Sequence, residues 1–251
     1  MSAVDTWLVL GASSAIARAF AHEAAAQGCD VILAGRDKAD LEASAADIAV
    51  RSGRRALVVD FDALDFASHA ALIARARETA IGGSGALHLF LAFGTMPDQK
   101  QIDAEPPLAR QVIDSNSTAA ASVLQAAAPV FEAQKRGHVV VLGSVAGDRG
   151  RLKNYVYGSA KAGLHAYLQG LRARLFRAGA FVTTVKPGFV DTAMTFGLPG
   201  LFLVASPETV ARSCWQAARK GKDVIYVPFF WWGIMTIIKS IPERIFKKLS
   251  I

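Results

Sequence analysis

The chain has 251 residues, 52% of them hydrophobic and 20% charged, which excludes a mainly disordered polymer and leaves ample length for one large core. Its formal net charge of +7 attracts anions such as a phosphate-bearing cofactor or an acidic lipid surface, with a plain solvated basic surface as the competing reading. Basic residues do not cluster with aromatics, which argues against nucleic acid, and Cys29 and Cys214 form neither a disulfide framework nor a metal spacing, as expected in a reducing compartment.

The chain enters an apolar run, Trp7–Leu10, with no basic leader or cleavage pattern before it, so a cytoplasmic protein is expected. A helical segment follows to Gln27. Apolar runs and helical segments then alternate: Val31–Ala34 before Lys38–Ser52, Ala56–Asp60 before His69–Thr79, and Leu87–Ala92 before a helix through Val112–Lys135. The pattern continues with Val139–Leu142 before Tyr157–Ala178, Phe181–Lys186 before Pro207–Lys220, and Val224–Val227. Gly82–Gly85 reads as a turn. Short continuous apolar strands between helices predict an α/β fold: a single doubly wound, Rossmann-type parallel sheet of about seven strands, covered on both faces by helices. The expected division is one domain over residues 1–227 and a separate tail over 228–251.

The turn after the first strand, Gly11-Ala-Ser-Ser-Ala-Ile-Ala17, opens the first helix. Helix N-termini offer unpaired N–H groups and partial positive charge to a pyrophosphate, so Gly11, Ser13, Ser14, Ala15 and Ile16 are candidate cofactor contacts. An ordinary strand–helix turn is the competing reading. At the second strand end, Arg36 suits a ribose 2′-phosphate, which favours NADP(H) over NAD(H); a surface charge at a helix start competes with it. Asp62 and the adjoining Ala63 follow the third strand, where a carboxylate can accept from an adenine amino group. Ala92, Phe93 and Gly94 place small residues where a dinucleotide crosses the sheet.

Ser144 follows the fifth strand, Tyr157 comes thirteen residues later, and Lys161 four beyond that. Tyr157 and Lys161 share one helix face. A hydroxyl at a strand end, a phenol and an ammonium together suit proton transfer to or from a carbonyl or alcohol oxygen. Lys161 is expected to lower the pKa of Tyr157. His69, His88, His138 and His165 share no spacing and read as packing or surface residues.

With these pieces in order, the sequence resembles the short-chain dehydrogenase/reductase family over nearly its whole length. Gly11, Asn116, Ser144, Tyr157 with Lys161, and Pro187-Gly-Phe-Val-Asp-Thr192 carry the resemblance. It implies an NAD(P)-dependent oxidoreductase in which Tyr157 exchanges the proton, Ser144 holds the substrate oxygen, and Lys161 holds the nicotinamide ribose. It further implies that Asn116 positions a relay water, and that Pro187, Gly188, Val190 and Thr192 line the nicotinamide. Homo-oligomerisation is part of the same analogy. Two departures stand out: Ala15 and Ala17 replace signature glycines, and Leu91-Ala-Phe-Gly94 replaces the usual Asn-Asn-Ala-Gly. Both lie at the cofactor rather than at the chemistry.

A narrower resemblance is to the decaprenylphosphoryl-2-keto-pentose reductases. It rests on Asp60-Phe-Asp-Ala-Leu-Asp65, Ala92-Phe-Gly94, Tyr157-Gly-Ser-Ala-Lys-Ala-Gly163 and the ending Ile241-Pro-Glu-Arg-Ile-Phe-Lys-Lys-Leu-Ser-Ile251. It implies a polyprenyl-phosphate-linked keto sugar as substrate, on a route to cell-wall polymers. Reduction of another lipid-like ketone, fatty-acyl or steroid, is the alternative, and a membrane-associated scaffold or sensor is the non-enzyme alternative.

The tail bears on that choice. Ile234, Ile237, Ile238, Ile241, Ile245, Phe246 and Leu249 fall at helical spacing with Lys239, Arg244, Lys247 and Lys248 between them, and Pro242 must kink or restart the helix. With Trp231 and Trp232 alongside, the tail reads as an amphipathic helix at an anionic membrane, on the inner face of the plasma membrane. A C-terminal helix packed on the domain is the competing reading.

Overall fold

The computed structural model describes residues 3–82, 84–197 and 202–249. Gly83 and the last two tail residues, Ser250 and Ile251, lie outside the described residues; the turn expected over Gly82–Gly85 is not what flanks Gly83, since Gly82 ends a helix and Ser84 and Gly85 begin a strand.

Seven strands form one parallel sheet: β1 (Val4–Leu10), β2 (Asp30–Gly35), β3 (Ala56–Asp60), β4 (Ser84–Leu91), β5 (His138–Leu142), β6 (Phe181–Pro187) and β7 (Val224–Val227). Their spatial order is β3-β2-β1-β4-β5-β6-β7. Because side chains alternate along a strand, each apolar run feeds two cores. Leu8 and Leu10 enter one core, built with α3 (His69–Gly82), α6 (Ala119–Gln134) and α7 (Tyr155–Phe176). Trp7 and Val9 enter the other, built with α1 (Ala15–Ala26), α2 (Lys38–Ser52) and α8 (Pro207–Arg219). The expected doubly wound architecture is therefore what the chain adopts.

Strand order reverses between β1 and β4, the position where open α/β sheets bind ligands. Ala92 N–H donates to the Leu10 carbonyl at 3.0 Å, so the turns after these two strands run side by side. Gly11 has φ +75°, and a Cβ there would stand 2.9 Å from the Phe93 backbone nitrogen. Only glycine fits both demands.

The helix expected through Val112–Lys135 is in fact three pieces. α5 (Pro107–Ile113), a π-helical turn over Asp114–Thr118 and α6 follow one another, after a short α4 (Gln99–Ala104) that periodicity did not reveal. The cause of the π turn lies in Asn116. Its Nδ2 donates to the Val112 carbonyl at 2.9 Å, taking the acceptor an α-helical N–H would use.

In the tail, Pro242 separates α9 (Phe230–Ser240) from α10 (Glu243–Phe246). One face of α9 packs on the domain: Trp231 and Met235 are buried with Val145, beside Phe189 and Tyr226. The opposite face leaves Phe229, Trp232 and Ile237 exposed. No helix among the described residues is long and apolar enough to cross a membrane.

Candidate active site

The turn expected to meet a pyrophosphate opens α1. Ser14 caps the helix, its Oγ accepting from Ala17 N–H at 3.2 Å. Ser13 and Ala15 are exposed at the turn, while Ile16 and Ala17 are buried in the α1–sheet core. The Ala17 methyl thus fills a helix–sheet contact. At the end of β2, Arg36 is exposed. The neighbouring Asp37 caps α2, its Oδ1 accepting from Asp40 N–H at 3.1 Å. Arg18 reaches the same region from α1, with Nη2 3.0 and 2.8 Å from the Asp40 carboxylate oxygens. Past β3, Asp62 Oδ1 accepts from Leu64 N–H at 2.9 Å, and Ala63 packs against the core next to it. Asp62 is an exposed loop carboxylate with one oxygen committed locally. Phe93 and Phe61 are tilted aromatic neighbours, their centroids 5.5 Å apart.

The centre is built by β5 and α7. Ser144 sits just past β5, and its Oγ accepts from Ala146 N–H at 3.1 Å, capping a 3₁₀ turn over Val145–Asp148. Tyr157 and Lys161 lie on the buried face of α7, and Lys161 Nζ donates to the Leu142 carbonyl at 3.1 Å. Nζ is 5.7 Å from the centre of the Tyr157 ring. Asn116 is 1% exposed; besides Val112, its Nδ2 donates to the Thr95 carbonyl at 2.7 Å. Its Oδ1 is buried and has no partner among the described residues. A Cβ on Gly94 would overlap that oxygen and stand 3.6 Å from Lys161 Nζ, so Gly94, Asn116 and Lys161 converge on one point. An orphaned carbonyl oxygen beside an ammonium is a built acceptor for a water or hydroxyl.

Burial dominates the electrostatics. It pushes the Tyr157 phenol up to about 12, while a hydrogen bond with Ser144 pulls the other way. That reverses the expected lowering by Lys161. The phenol is removed from water, and Lys161 commits Nζ to Leu142. Burial likewise pulls Lys161 down to about 8.

His165 is buried, as a packing residue would be, but sequence reasoning missed its contact with the serine loop. It lies one turn beyond Lys161 on the same face, and its Nε2 accepts from Ser144 N–H at 3.4 Å. A Cβ on Gly143 would overlap its Nε2, so the imidazole is the floor under the serine loop. Burial lowers its pKa to about 3, with Lys186 adding to the effect, and keeps it neutral. The period of four from Tyr157 through Lys161 to His165 was the available signal.

At the far end of the crevice, Gly188 N–H follows Pro187 and donates to the Val227 carbonyl at 3.0 Å. A Cβ on Gly188 would overlap the Trp231 indole nitrogen. Val190 is buried and bridges to Ala205; Thr192 is half-buried beside Thr195. Between this segment and α5 lies a cleft of about 560 Å³, lined by Met96, Pro97, Leu108, Val112 and Met194, with Thr95 and Gln111 among its polar contributors. Tyr155 stands away from Tyr157, exposed, with its hydroxyl on the Asp103 carboxylate. Among the described residues no group of three His, Cys, Asp or Glu could hold a metal ion.

These residues fit a dinucleotide. Gly11 keeps the backbone open at a twelve-residue helix N-terminus, Gly94 leaves space beside Lys161, and Asn116 offers an unpartnered acceptor.

A family pattern described as short chain dehydrogenase matches residues 5–198. An uncharacterized oxidoreductase of Mycobacterium tuberculosis is 32% identical over 244 residues, which span 96% of this chain and 96% of the relative. One from Streptomyces coelicolor is 33% identical over 248 residues, spanning 97% and 95%. Among solved structures, a short-chain dehydrogenase from Sphingobium yanoikuyae in complex with NADPH is similar with TM-score 0.78 and 26% identity, covering 96% of this chain and 97% of that one. A bulky-bulky ketone specific alcohol dehydrogenase from Comamonas testosteroni, at 21% identity and TM-score 0.79 over 96% of each chain, shares the fold. With its Ser144, Tyr157 and Lys161 gathered past the end of β5 in a seven-stranded parallel sheet, the chain belongs to the short-chain dehydrogenase/reductase family of NAD(P)-dependent oxidoreductases.

Proposed function

We propose that this enzyme reduces a ketone to an alcohol, or runs the reverse, with NADP(H) preferred to NAD(H), on a lipid-linked substrate. The convergence of Ser144, Tyr157, Lys161 and Asn116 at the carboxyl ends of β4 and β5 carries the reading. The Gly11 turn, Arg36, Lys161 and the Pro187–Thr192 segment would hold NADP(H), which would supply or accept the hydride. Tyr157, protonated at neutral pH because its pKa is about 12, donates its proton to the substrate oxygen. The Ser144 hydroxyl donates to the same oxygen and stabilises the charge that grows there. The Lys161 ammonium offsets the phenolate left behind, and Asn116 Oδ1 holds the water through which the proton is replaced.

Two features support a lipid-like ketone. The cleft beside the site is mostly apolar. Separately, the outer face of the tail exposes Phe229, Trp232 and Ile237 in a segment that also carries Lys239, Arg244, Lys247 and Lys248, the composition of a segment that rests on an anionic bilayer. Residues 228–251 then serve as the membrane-facing segment of a peripheral enzyme on the inner face of the plasma membrane. The tail motif narrows the substrate to the 2-keto group of a polyprenyl-phosphate-linked pentose; a fatty-acyl or steroid ketone is the alternative.

NADPH oxidation with each of these three ketones tests the reading. The keto sugar should be turned over best, and Tyr157→Phe should lose at least about 10²-fold in rate while binding NADPH normally. Turnover retained in Tyr157→Phe would overturn the proton donor; preference for the acyl or steroid ketone would overturn the sugar.

A further inference from the structure

We propose that Arg149 is a positioning residue that latches the C-terminal helices onto the loop of Ser144, making the tail a working wall of the active site. Arg149 lies directly after the 3₁₀ turn that Ser144 caps. Its Nη1 stands 2.9, 3.1 and 2.6 Å from the carbonyl oxygens of Ile238, Lys239 and Ile241, in the last turn of α9 and at its C-cap, where carbonyls run short of helical partners; the Ile238 oxygen also accepts from Ile241 N–H at 3.4 Å. A guanidinium there satisfies those carbonyls and matches the negative end of the helix dipole. Nη2 donates to Glu243 Oε2 at 2.9 Å, and the guanidinium carbon sits 3.9 Å from the centre of the Phe246 ring in α10. One side chain therefore holds both tail helices, across Pro242.

The neighbours of Arg149 on the serine loop have the same orientation. Val145 packs on Trp231 and Met235. Arg151 Nη2 lies 3.0 Å from Met235 Sδ. Asp148, almost fully buried, accepts from Lys186 Nζ at 2.5 Å and from the Tyr226 hydroxyl at 2.6 Å, anchoring the loop to β6 and β7. Trp231, fastened by these contacts, presses on Gly188, just past the end of the neighbouring strand β6. The tail thus bridges the loop that carries Ser144 and the segment that follows Pro187. Glu243 is 76% exposed, so its ion pair is weak, and the carbonyls with Phe246 carry the latch.

The bearing of the latch on turnover rests on Ser144 acting at the substrate oxygen; the latch itself is read without substrate, by amide hydrogen exchange on the full chain. Phe246→Ala and Arg149→Ala should each speed exchange in peptides covering residues 143–152 by about tenfold or more, while peptides from β1 and α1 stay unchanged and NADPH still binds. Arg149→Lys, which keeps the charge but loses the planar fork, should recover part of the protection. The double variant Arg149→Ala/Phe246→Ala should exchange little faster than either single, because both break one connection. Unchanged exchange over 143–152 in Phe246→Ala, a uniform rise along the whole chain, or additive effects would each overturn the latch. Should Arg149→Ala fail to fold, Phe246→Ala and Arg149→Lys decide it by the same criteria.

Discussion

Gly94 and Asn116 are held in mutual contact: the backbone of Gly94 has φ +154°, and any Cβ there would occupy the space of the Asn116 side-chain oxygen. Gly94→Ala should therefore displace Asn116 from Lys161. The expected result is a loss of about 10²-fold in turnover, since small displacements at a reacting site are expensive. NADPH oxidation with the preferred ketone measures it, and near-normal turnover would show that the Asn116 geometry is not needed.

The phosphate turn makes a separate demand. Gly11→Ala puts a side chain on a residue with φ +75° and against Phe93. It should cost about 1–3 kcal/mol of stability and weaken NADPH binding. Urea unfolding and fluorescence titration check the two effects; an unaltered midpoint and affinity would contradict the crowding at this turn.

Lys161 links pH to stability. Burial lowers its pKa to about 8, below the roughly 10.4 of an unfolded lysine. Between those values the unfolded chain holds a proton that the folded protein has released, so this residue makes stability rise with pH across that window. Below about pH 8 the buried ammonium is a constant cost. Lys161→Met should remove that cost, on the order of 1–3 kcal/mol at pH 7, and the pH-dependent gain with it. The variant should also lose turnover. Unfolding of both proteins at pH 7 to 10 is the measurement; parallel curves would exclude a lowered lysine.

On the proposed mechanism the same ionisation should also be visible in catalysis. With Tyr157 at about 12, the Lys161 ammonium loses its proton before the phenol does as pH rises. For ketone reduction, kcat/KM should fall above about pH 8. A plateau to pH 9.5 or beyond (about 1.5 units above the Lys161 value) would assign the ammonium no role.

Arg36 should decide the cofactor. Asp37 is occupied as the cap of α2, which leaves the exposed Arg36 as the charged group at the end of β2 suited to a 2′-phosphate. Arg36→Ala should weaken NADPH by about tenfold or more and leave NADH nearly unchanged. Equal effects on both dinucleotides would remove Arg36 from the site.

Most of the architecture was legible in the sequence because it repeats a local signal. Apolar runs of four to six residues alternate with helical periodicity, and all seven strands lie where those runs stand. The trio Ser144, Tyr157 and Lys161 was legible because two of its members are one helical turn apart and the third ends a strand. The π turn at Asn116 was not legible, since it arises from a side chain that competes with the backbone for the Val112 carbonyl. Nor was the raised pKa of Tyr157, because local spacing signals a nearby ammonium but not the loss of water around a phenol. The contact of His165 escaped for a related reason: its partner, the Ser144 amide, lies 21 residues away.

The tail marks the boundary between the two kinds of information. Sequence alone determined that residues after Val227 form an apolar, basic helix interrupted at Pro242, because periodicity and proline chemistry are local. Tertiary structure decided which face turns inward: Trp231 and Met235 meet Val145, and Arg149 gathers the carbonyls at the end of α9 across some 90 residues of chain. Such contacts depend on how the strands order themselves in the sheet, which sets distance in space independently of distance along the chain.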